Sequence, residues 1–361
     1  MIKFLHAADL HLDSPFSSLS PQQAAARRAE QRAQLTSIVE LCNDEGCDLL
    51  LLAGDLFDSD NAYQDTIDAL IRALRTCRAQ VMIAPGNHDY YTDASPYATV
   101  AWPEHVHIFR SQQVDSIVLP ELGCEVYGAA FTAPNAPSLL EGFHVRDEAL
   151  TNLMVLHGDA LMPDSPYNAV TRAQIAASGL DYLALGHIHA LGQPDRAGKT
   201  TYAWPGCPLG RGFDETGEKG VLLGTIDRGI CETRFVPLPG CRYEIFRVAA
   251  GDDPLSAIES ALPAETEQLI CRVILTGEAD AVDTRALYDA LSPRCFALTI
   301  RDETVPKRDL WADCEGDTLR ALFLQTLKAE MDAAPPEEQA RYAMAARFGL
   351  DVMDGREVPE E

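Results

Sequence analysis

Five apolar runs in this chain each end in a short cluster of Asp, His and Asn. Ile2–Leu5 leads into Asp9 and His11, and Leu49–Ala53 into GDLFD, with Gly54, Asp55 and Asp58. Val81–Ala84 leads into GNHD (Gly86, Asn87, His88, Asp89), Leu153–Leu156 into His157, and Leu183–Leu185 into GHIH (Gly186, His187, His189). Apolar runs of this length bounded by glycines predict buried strands. Between them the periodicity turns helical. Gln22–Asn43 follows Ser20 and Pro21, a cap and a first-turn proline, and sets Leu35, Ile38, Val39 and Cys42 on one face. Asp65–Arg78 carries Ile67, Leu70, Ile71 and Leu74, and a third helix is expected over Ala169–Ser178. Alternating strand and helix favours a layered α/β sheet with helices outside. Open sheets of that kind place their sites beyond the strand carboxyl ends. If the five strands are neighbours, nitrogen and oxygen ligands converge on one rim.

The rest of the chain reads as an extension of that body followed by smaller parts. Val114–Leu119 and Cys124–Tyr127 predict a hairpin, and Thr200–Trp204, Val221–Ile226 and Glu232–Pro237 continue as β structure. Pro237, Pro239 and Gly240 punctuate a boundary. Strand, helix, strand, helix and strand follow (Arg242–Val248, Pro254–Leu262, Gln268–Thr276, Val282–Leu291, Cys295–Arg301), a small α+β unit. From Gly316 the chain is helical, with Leu319, Leu322, Phe323, Leu327 and Met331 on one stripe. Pro335–Pro336 interrupts it, and a last helix is expected to run to Phe348 and stop at Gly349. The expected parts are 1–238, 239–305 and 306–361.

Bulk properties narrow the function classes. With 361 residues, 47% of them hydrophobic, the chain accommodates one large domain and a smaller one. No apolar stretch is long enough to span a bilayer, so no membrane role is expected. The first apolar run is brief and reaches Asp9 at once, which does not read as a signal peptide; a cytoplasmic protein is expected. The ten cysteines are scattered without a CxxC pair, and they read as small buried hydrophobes rather than a disulfide framework or metal ligands. The net charge of −26 opposes nucleic-acid binding by this chain alone, since such proteins carry a basic footprint.

Hard and borderline divalent ions such as Mn²⁺ accept imidazole, carboxylate and amide oxygen together. Asp55 is the residue best placed to bridge two ions, because a carboxylate has two oxygens. DxH, GDxxD, GNHD, a lone His after a strand, and GHxH, in that order, resemble the motifs of the calcineurin-like metallophosphoesterases. That resemblance implies a four-layer β-sandwich flanked by helices, with a small α+β capping domain and C-terminal helices. It implies two divalent ions, Mn²⁺ first, with Mg²⁺, Fe²⁺ or Zn²⁺ as alternatives. It assigns Asp9, His11, Asp55 and His189 to one ion, and Asp55, Asn87, His157 and His187 to the other. His88 resembles the family's general acid, and Asp58 and Asp89 would orient ligands. His6 is expected to pack, and His105, His107 and His144 to lie on the surface or in loops.

The opening FLHAADLHLD, the GDLFD motif and a carboxyl-terminal cap are similar to the DNA-repair exonuclease branch, with its SbcD-like nuclease subunits and YhaO-like relatives. Ser59 after Asp58, and Asp89 in place of Glu, depart from the phosphoprotein phosphatases. Trp204–Gly220 is similar to the loop that follows GHxH in those nucleases, with Cys207 where Ser is commoner. Arg196, Lys199, Arg211 and Lys219 are candidates for DNA phosphate contacts, with ordinary surface turns as the alternative. The branch implies a phosphodiesterase acting on DNA, a 3′→5′ exonuclease with single-strand endonuclease activity. Its partner would be an SMC-like, Rad50-like ATPase docked on the tail stripe, unless that stripe packs on the cap. Asp65–Leu74 is either a homodimer face or core. The alternatives are a small-molecule phosphodiesterase of the same fold, for cyclic nucleotides or nucleotide sugars, and a DNA-end-binding regulatory subunit of an ATPase complex.

Overall fold

The computed structural model describes residues 1–59 and 62–355; residues 356–361 of the expected tail lie outside it. Its body is built on two six-stranded sheets. The first runs β12 (Ile230–Pro237), β11 (Gly220–Asp227), β1 (Ile2–Ala7), β2 (Leu49–Leu52), β3 (Gln80–Ile83) and β4 (Val106–Ile108). The second runs β5 (Asp115–Leu119), β6 (Cys124–Gly128), β7 (Thr151–His157), β8 (Tyr182–Gly186), β10 (Thr200–Ala203) and β9 (Asp195–Ala197). β1 to β4 are parallel, as are β6, β7, β8 and β10, so each sheet sends several carboxyl ends in one direction.

The leucine run of β2 shows why the layers form. Successive strand residues face opposite ways. Leu49 and Leu51 join Phe4, Met82, Val126, Leu153, Val155 and Tyr182 in one core between the sheets. Leu50 and Leu52 face the other way, against Leu35, Ile38 and Val39 of α1 (Pro21–Asp44) and Ile67, Leu70 and Leu74 of α2 (Gln64–Arg75). A third core lines the outer face of the second sheet, where Met154, Leu156, Leu183 and Leu185 meet Ile175 and Trp204. The sandwich is therefore two sheets flanked by helices, as a strand buried on both faces requires. The apolar stripe of α2 is spent inside this chain's own core.

Local chemistry sets the helix ends. Ser20 caps α1 through a capping box with Gln23, and a short helix, α3, spans Pro96–Thr99. The helix expected from Ala169 begins only at Arg172 (α4, Arg172–Ser178), capped by Thr171 with Gln174. The residues before it are used elsewhere: Val170 N donates to Asp159 O, and Asn168 O accepts from Asp159 N.

Packing divides the chain into two interleaved units: Met1–Phe246 with Leu262–Val273 and Tyr288–Ile300, and Arg247–Ala261 with Ile274–Leu287 and Arg301 onward. The expected parts at 238 and 305 were sequential instead. β13 (Arg242–Ala249), β14 (Leu269–Thr276) and β16 (Ala297–Asp302) form a three-stranded sheet, and β15 (Glu278–Ala279) pairs with β17 (Val305–Pro306). α5 (Pro254–Ala261) and α6 (Thr284–Leu291) lie between these strands in sequence. In the second unit α7 (Leu319–Ala333) and α8 (Pro336–Met353) pack around Leu324, Ala346 and Leu350.

Two expectations for the tail are corrected. Gly349 does not end the last helix, which continues to Met353; a Cβ there would stand 2.2 Å from Phe323 Cζ, so the glycine is a notch for a ring. Leu319 and Leu322 of the expected stripe are exposed, and the buried leucine of α7 is Leu324. No helix among the described residues is long and apolar enough to cross a membrane.

Candidate metal centre

All five motifs fall at strand carboxyl ends and meet where the two sheets face each other. Asp9 and His11 follow β1, Asp55 follows β2, and Asn87 and His88 follow β3; His157 ends β7, while His187 and His189 follow β8. The loops are held in unusual backbone conformations. Asp9, His11, Asp55 and His187 have φ of 55°, 42°, 50° and 96°, a region that costs a non-glycine residue about 1–3 kcal/mol. Their amides are nonetheless paired: Asp9 N donates to Gly54 O at 3.0 Å, and His11 N to Asp55 O at 2.9 Å. Gly186 is required by close approach, since a Cβ there would lie 1.9 Å from Ala53 O.

The imidazoles are aimed by what their Nδ1 atoms touch. His157 Nδ1 lies 3.0 Å from the Ala53 carbonyl, which can only accept, so Nδ1 carries the hydrogen and Nε2 is a bare lone pair. That Nε2 faces Asn87 Oδ1 at 2.9 Å. His189 Nδ1 lies between Glu215 Oε1 at 2.7 Å and Arg211 Nη2 at 2.8 Å, which fixes the ring with Nε2 turned toward the cluster. His11 Nδ1 sits 3.1 Å from Asp58 Oδ1, and its Nε2 faces His189 Nε2 at 3.1 Å. Two pairs of potential ligand atoms thus face each other, His157 Nε2 with Asn87 Oδ1 and His11 Nε2 with His189 Nε2, each close enough to be shared by one cation. Asp55 Oδ2 stands between the pairs, 3.6 Å from His11 Nε2 and 3.4 Å from His157 Nε2. The donor set, imidazole with carboxylate and amide oxygen, fits borderline divalent ions. Carboxylates that lock a histidine tautomer from behind are the usual support of such ligands.

Electrostatics agrees with a cation site. Burial and the neighbouring Asp55 charge push Asp9 well above the ordinary carboxyl range, although its two oxygens accept His187 N at 3.0 and 3.1 Å. Burial lowers His11 to about 4 and His187 to about 4, so both are neutral, ligand-ready bases at pH 7. Burial opposes the Glu215 charge, yet hydrogen bonds from His189 and Arg211 hold its carboxyl far below the usual range.

Among the described residues three clusters bring ligand atoms within 4.8 Å of one another: Asp9–His11–His189, Asp9–Asp55–His157, and His11–Asp58–His88. His187 belongs to none of them; its ring stands 5.3 Å from that of His157, centroid to centroid, and 5.0 Å from Tyr167. His88 is exposed, its N donating to Asp55 Oδ1 at 2.9 Å and its Nδ1 3.2 Å from Asp58 O. Asp89 is buried and reaches the neighbouring GDLFD loop instead of the cluster.

The four basic candidates separate. Arg196 and Lys199 border β9 and β10 at the amino end of β8, where Thr201 pairs with Tyr182 and Lys199 bonds Asp181 at 3.3 Å. The ligands follow the other end of that strand, about 13 Å away at the usual rise. These two candidates therefore stand at the end of β8 away from the ligands. Lys219 precedes β11, whose register with β1 puts it at the ligand end of the first sheet. Arg211 stands inside the cluster, with Nη1 3.1 Å from Asp58 Oδ1 and Nη2 2.7 Å from Glu215 Oε1.

Several supporting residues were not anticipated. Nothing in the sequence marks Glu215 apart from the other acids of its loop. Asn168 donates from Nδ2 to His157 O at 2.8 Å and accepts Leu139 N at 2.7 Å. Gln31 of α1 donates to His11 O at 2.8 Å, and Arg27 to Gly210 O at 2.8 Å. His6 is fully buried and shares a hydrogen bond with Tyr182 at 2.9 Å. His105 bonds Leu74 O, His107 packs on Phe109, and His144 bonds Ala177 O, all outside the cluster.

Residues 2–191 match the family model for calcineurin-like phosphoesterases, and the chain belongs to that family, whose members use divalent metals. A relative described as the uncharacterized metallophosphoesterase YhaO of Bacillus subtilis is 34% identical over 243 residues. That match covers 63% of this chain and 58% of the relative, so the chain spans less than two thirds of the relative's length. A dimetal phosphatase from Danio rerio is similar at TM-score 0.43 and 11% identity, covering 65% of this chain and 95% of that one. Vacuolar Protein Sorting 29 from Cryptosporidium parvum is similar at TM-score 0.30 and 12% identity, covering 66% and 97%.

Proposed function

We propose that this protein is a metal-dependent phosphodiesterase that hydrolyses DNA, a 3′→5′ exonuclease with single-strand endonuclease activity that works with an SMC-like ATPase. The observation that carries the hydrolytic part is the pair of facing donors, His11 with His189 and Asn87 with His157, flanking Asp55. Two divalent ions bound by Asp9, His11, Asp55, Asn87, His157, His187 and His189, with Mn²⁺ first by ligand type, would supply an acidified water and a clamp on phosphoryl oxygens. Asp55 is placed to serve both positions. His88, anchored through its backbone to Asp55 and through Nδ1 to the Asp58 carbonyl, keeps its other ring nitrogen for a proton on the leaving oxygen.

Support for DNA as the substrate is the likeness of FLHAADLHLD, GDLFD and Trp204–Gly220 to the DNA-repair exonuclease branch. One experiment tests it: Mn²⁺-loaded protein given end-labelled single- and double-stranded DNA beside bis-p-nitrophenyl phosphate and cyclic nucleotides. Stepwise shortening from the 3′ end is the expected result. Hydrolysis of the small esters with DNA left intact would overturn the DNA reading. A second reading, a small-molecule phosphodiesterase, is favoured by the net charge of −26, which repels a polyanion more than a small ester.

A further inference from the structure

Arg211 is the one guanidinium placed in the ligand cluster among the described residues, and two carboxylates neutralise it. Glu215 Oε2 accepts its backbone N–H at 2.7 Å and its Nε at 3.3 Å, and Oε1 accepts Nη2 at 2.7 Å. Asp58 Oδ1 accepts Nη1 at 3.1 Å. The Arg211 side chain is only 20% exposed. Arg27, itself fully buried, donates to the carbonyl of the preceding Gly210 and rests against the rings of Phe16 and Tyr243, so the loop that carries Arg211 is anchored.

The formal charges matter for what enters. Asp9, Asp55, Asp58 and Glu215 share the ligand cluster with this single guanidinium. Two divalent ions would bring the cluster close to balance, and removing the Asp58 charge would add to its positive side. A phosphodiester carries one negative charge, whereas a phosphomonoester at pH 8 carries two. We propose that Asp58, by neutralising Arg211, makes this site select phosphodiester monoanions over phosphomonoester dianions. The proposal rests on the phosphoesterase reading and names the residue that sets its substrate class. At the effective dielectric of a partly buried site, one charge added or removed several ångströms from the phosphoryl group changes that preference about tenfold or more.

Asp58→Asn is the informative substitution, because the amide retains an oxygen for His11 Nδ1–H while removing the charge. Arg211→Met removes the cation and leaves Asp58 unbalanced. For both, with Mn²⁺ content checked by elemental analysis, kcat/KM is measured for p-nitrophenyl phosphate and bis-p-nitrophenyl phosphate. Calorimetric affinities for inorganic phosphate and dimethyl phosphate give the same comparison without turnover. Asp58→Asn is expected to raise the monoester-to-diester ratio about tenfold and to tighten inorganic phosphate against dimethyl phosphate by a similar factor. Arg211→Met should move both ratios the other way. Ratios that stay at the wild-type value, or move together in one direction, overturn the proposal. If Asp58→Asn loses its metal, the decision passes to Arg211→Met, where an unchanged ratio is fatal. A wild-type protein that hydrolyses neither ester sinks the phosphoesterase reading, and the anion affinities still decide this one.

Discussion

Asp89 Oδ2, at the end of GNHD, accepts the backbone N–H groups of Leu56 at 2.7 Å and Phe57 at 3.1 Å, inside GDLFD. The same carboxylate takes Gly86 N on Oδ1 at 2.8 Å and the Tyr97 hydroxyl on Oδ2. One buried side chain therefore sets the spacing between the loops that carry Asp55 and Asn87. Asp89→Ala leaves those donors unsatisfied and is expected to cost about 3 kcal/mol or more, since each hydrogen bond to a charged group is worth about 1.5–3 kcal/mol. Urea denaturation measures it; a change below about 1 kcal/mol would mean the loops hold each other without Asp89.

Asp55 stands between the two donor pairs, so its loss should be felt by both. Asp55→Asn is expected to abolish nearly all turnover and to release at least one metal. Elemental analysis showing two ions retained with normal turnover would remove the bridging assignment.

His88 should separate chemistry from metal binding. Its ring is exposed and its contacts run to Asp55 and Asp58 backbone and side-chain oxygens, outside the two facing pairs. His88→Ala is expected to lower turnover by roughly 10²–10⁴ while metal content persists. Loss of metal would make it a ligand.

His6 gives a prediction about pH. Burial lowers its pKa from the ordinary 6.5 to about 3. Below pH 6.5 the unfolded chain takes up a proton that the folded chain refuses, so this stability is complete above pH 6.5 and is lost as pH falls toward 3. The slope from this residue is about 1.4 kcal/mol per pH unit between pH 6 and 4. Denaturation of wild type and His6→Leu across that range should show the variant flatter by that slope; parallel profiles would contradict it.

The exposed Leu319 and Leu322 of α7 test the proposed ATPase partner. Because neither is in the α7–α8 core, the double substitution to Glu should leave folding and bis-p-nitrophenyl phosphate hydrolysis unchanged. Co-purification with a co-expressed SMC-like ATPase should be lost. A complex that survives places the dock elsewhere.

The strands, the order of the motifs and the apolar face of α1 were readable because period-two and helical hydrophobicity are local signals. The buried polar residues of α1 were not. Arg27, Gln31 and Gln34 look like a solvated face, yet all are buried and donate to carbonyls of Gly210, His11 and Pro239. Their partners are distant in sequence, so no periodicity announces them. Glu215 and Asn168 were hidden for the same reason: a polar residue in a loop shows its acceptor only when the loop is folded. Arg196 and Lys199 are the opposite case, close in sequence to GHIH but carried to the far end of β8 by the chain's reversal.

The two facing pairs each draw one member from either sheet. His11 and Asn87 belong to the first, His189 and His157 to the second. Neither sheet owns a complete pair. A molecule whose sheets docked one residue out of step could still hide its leucines from water and keep its helices, yet it would assemble no pair at all. Such a product is silent rather than wrongly active. Turnover per molecule, alone among bulk observables such as helix content or compactness, therefore counts only the chains whose halves have met in the right alignment.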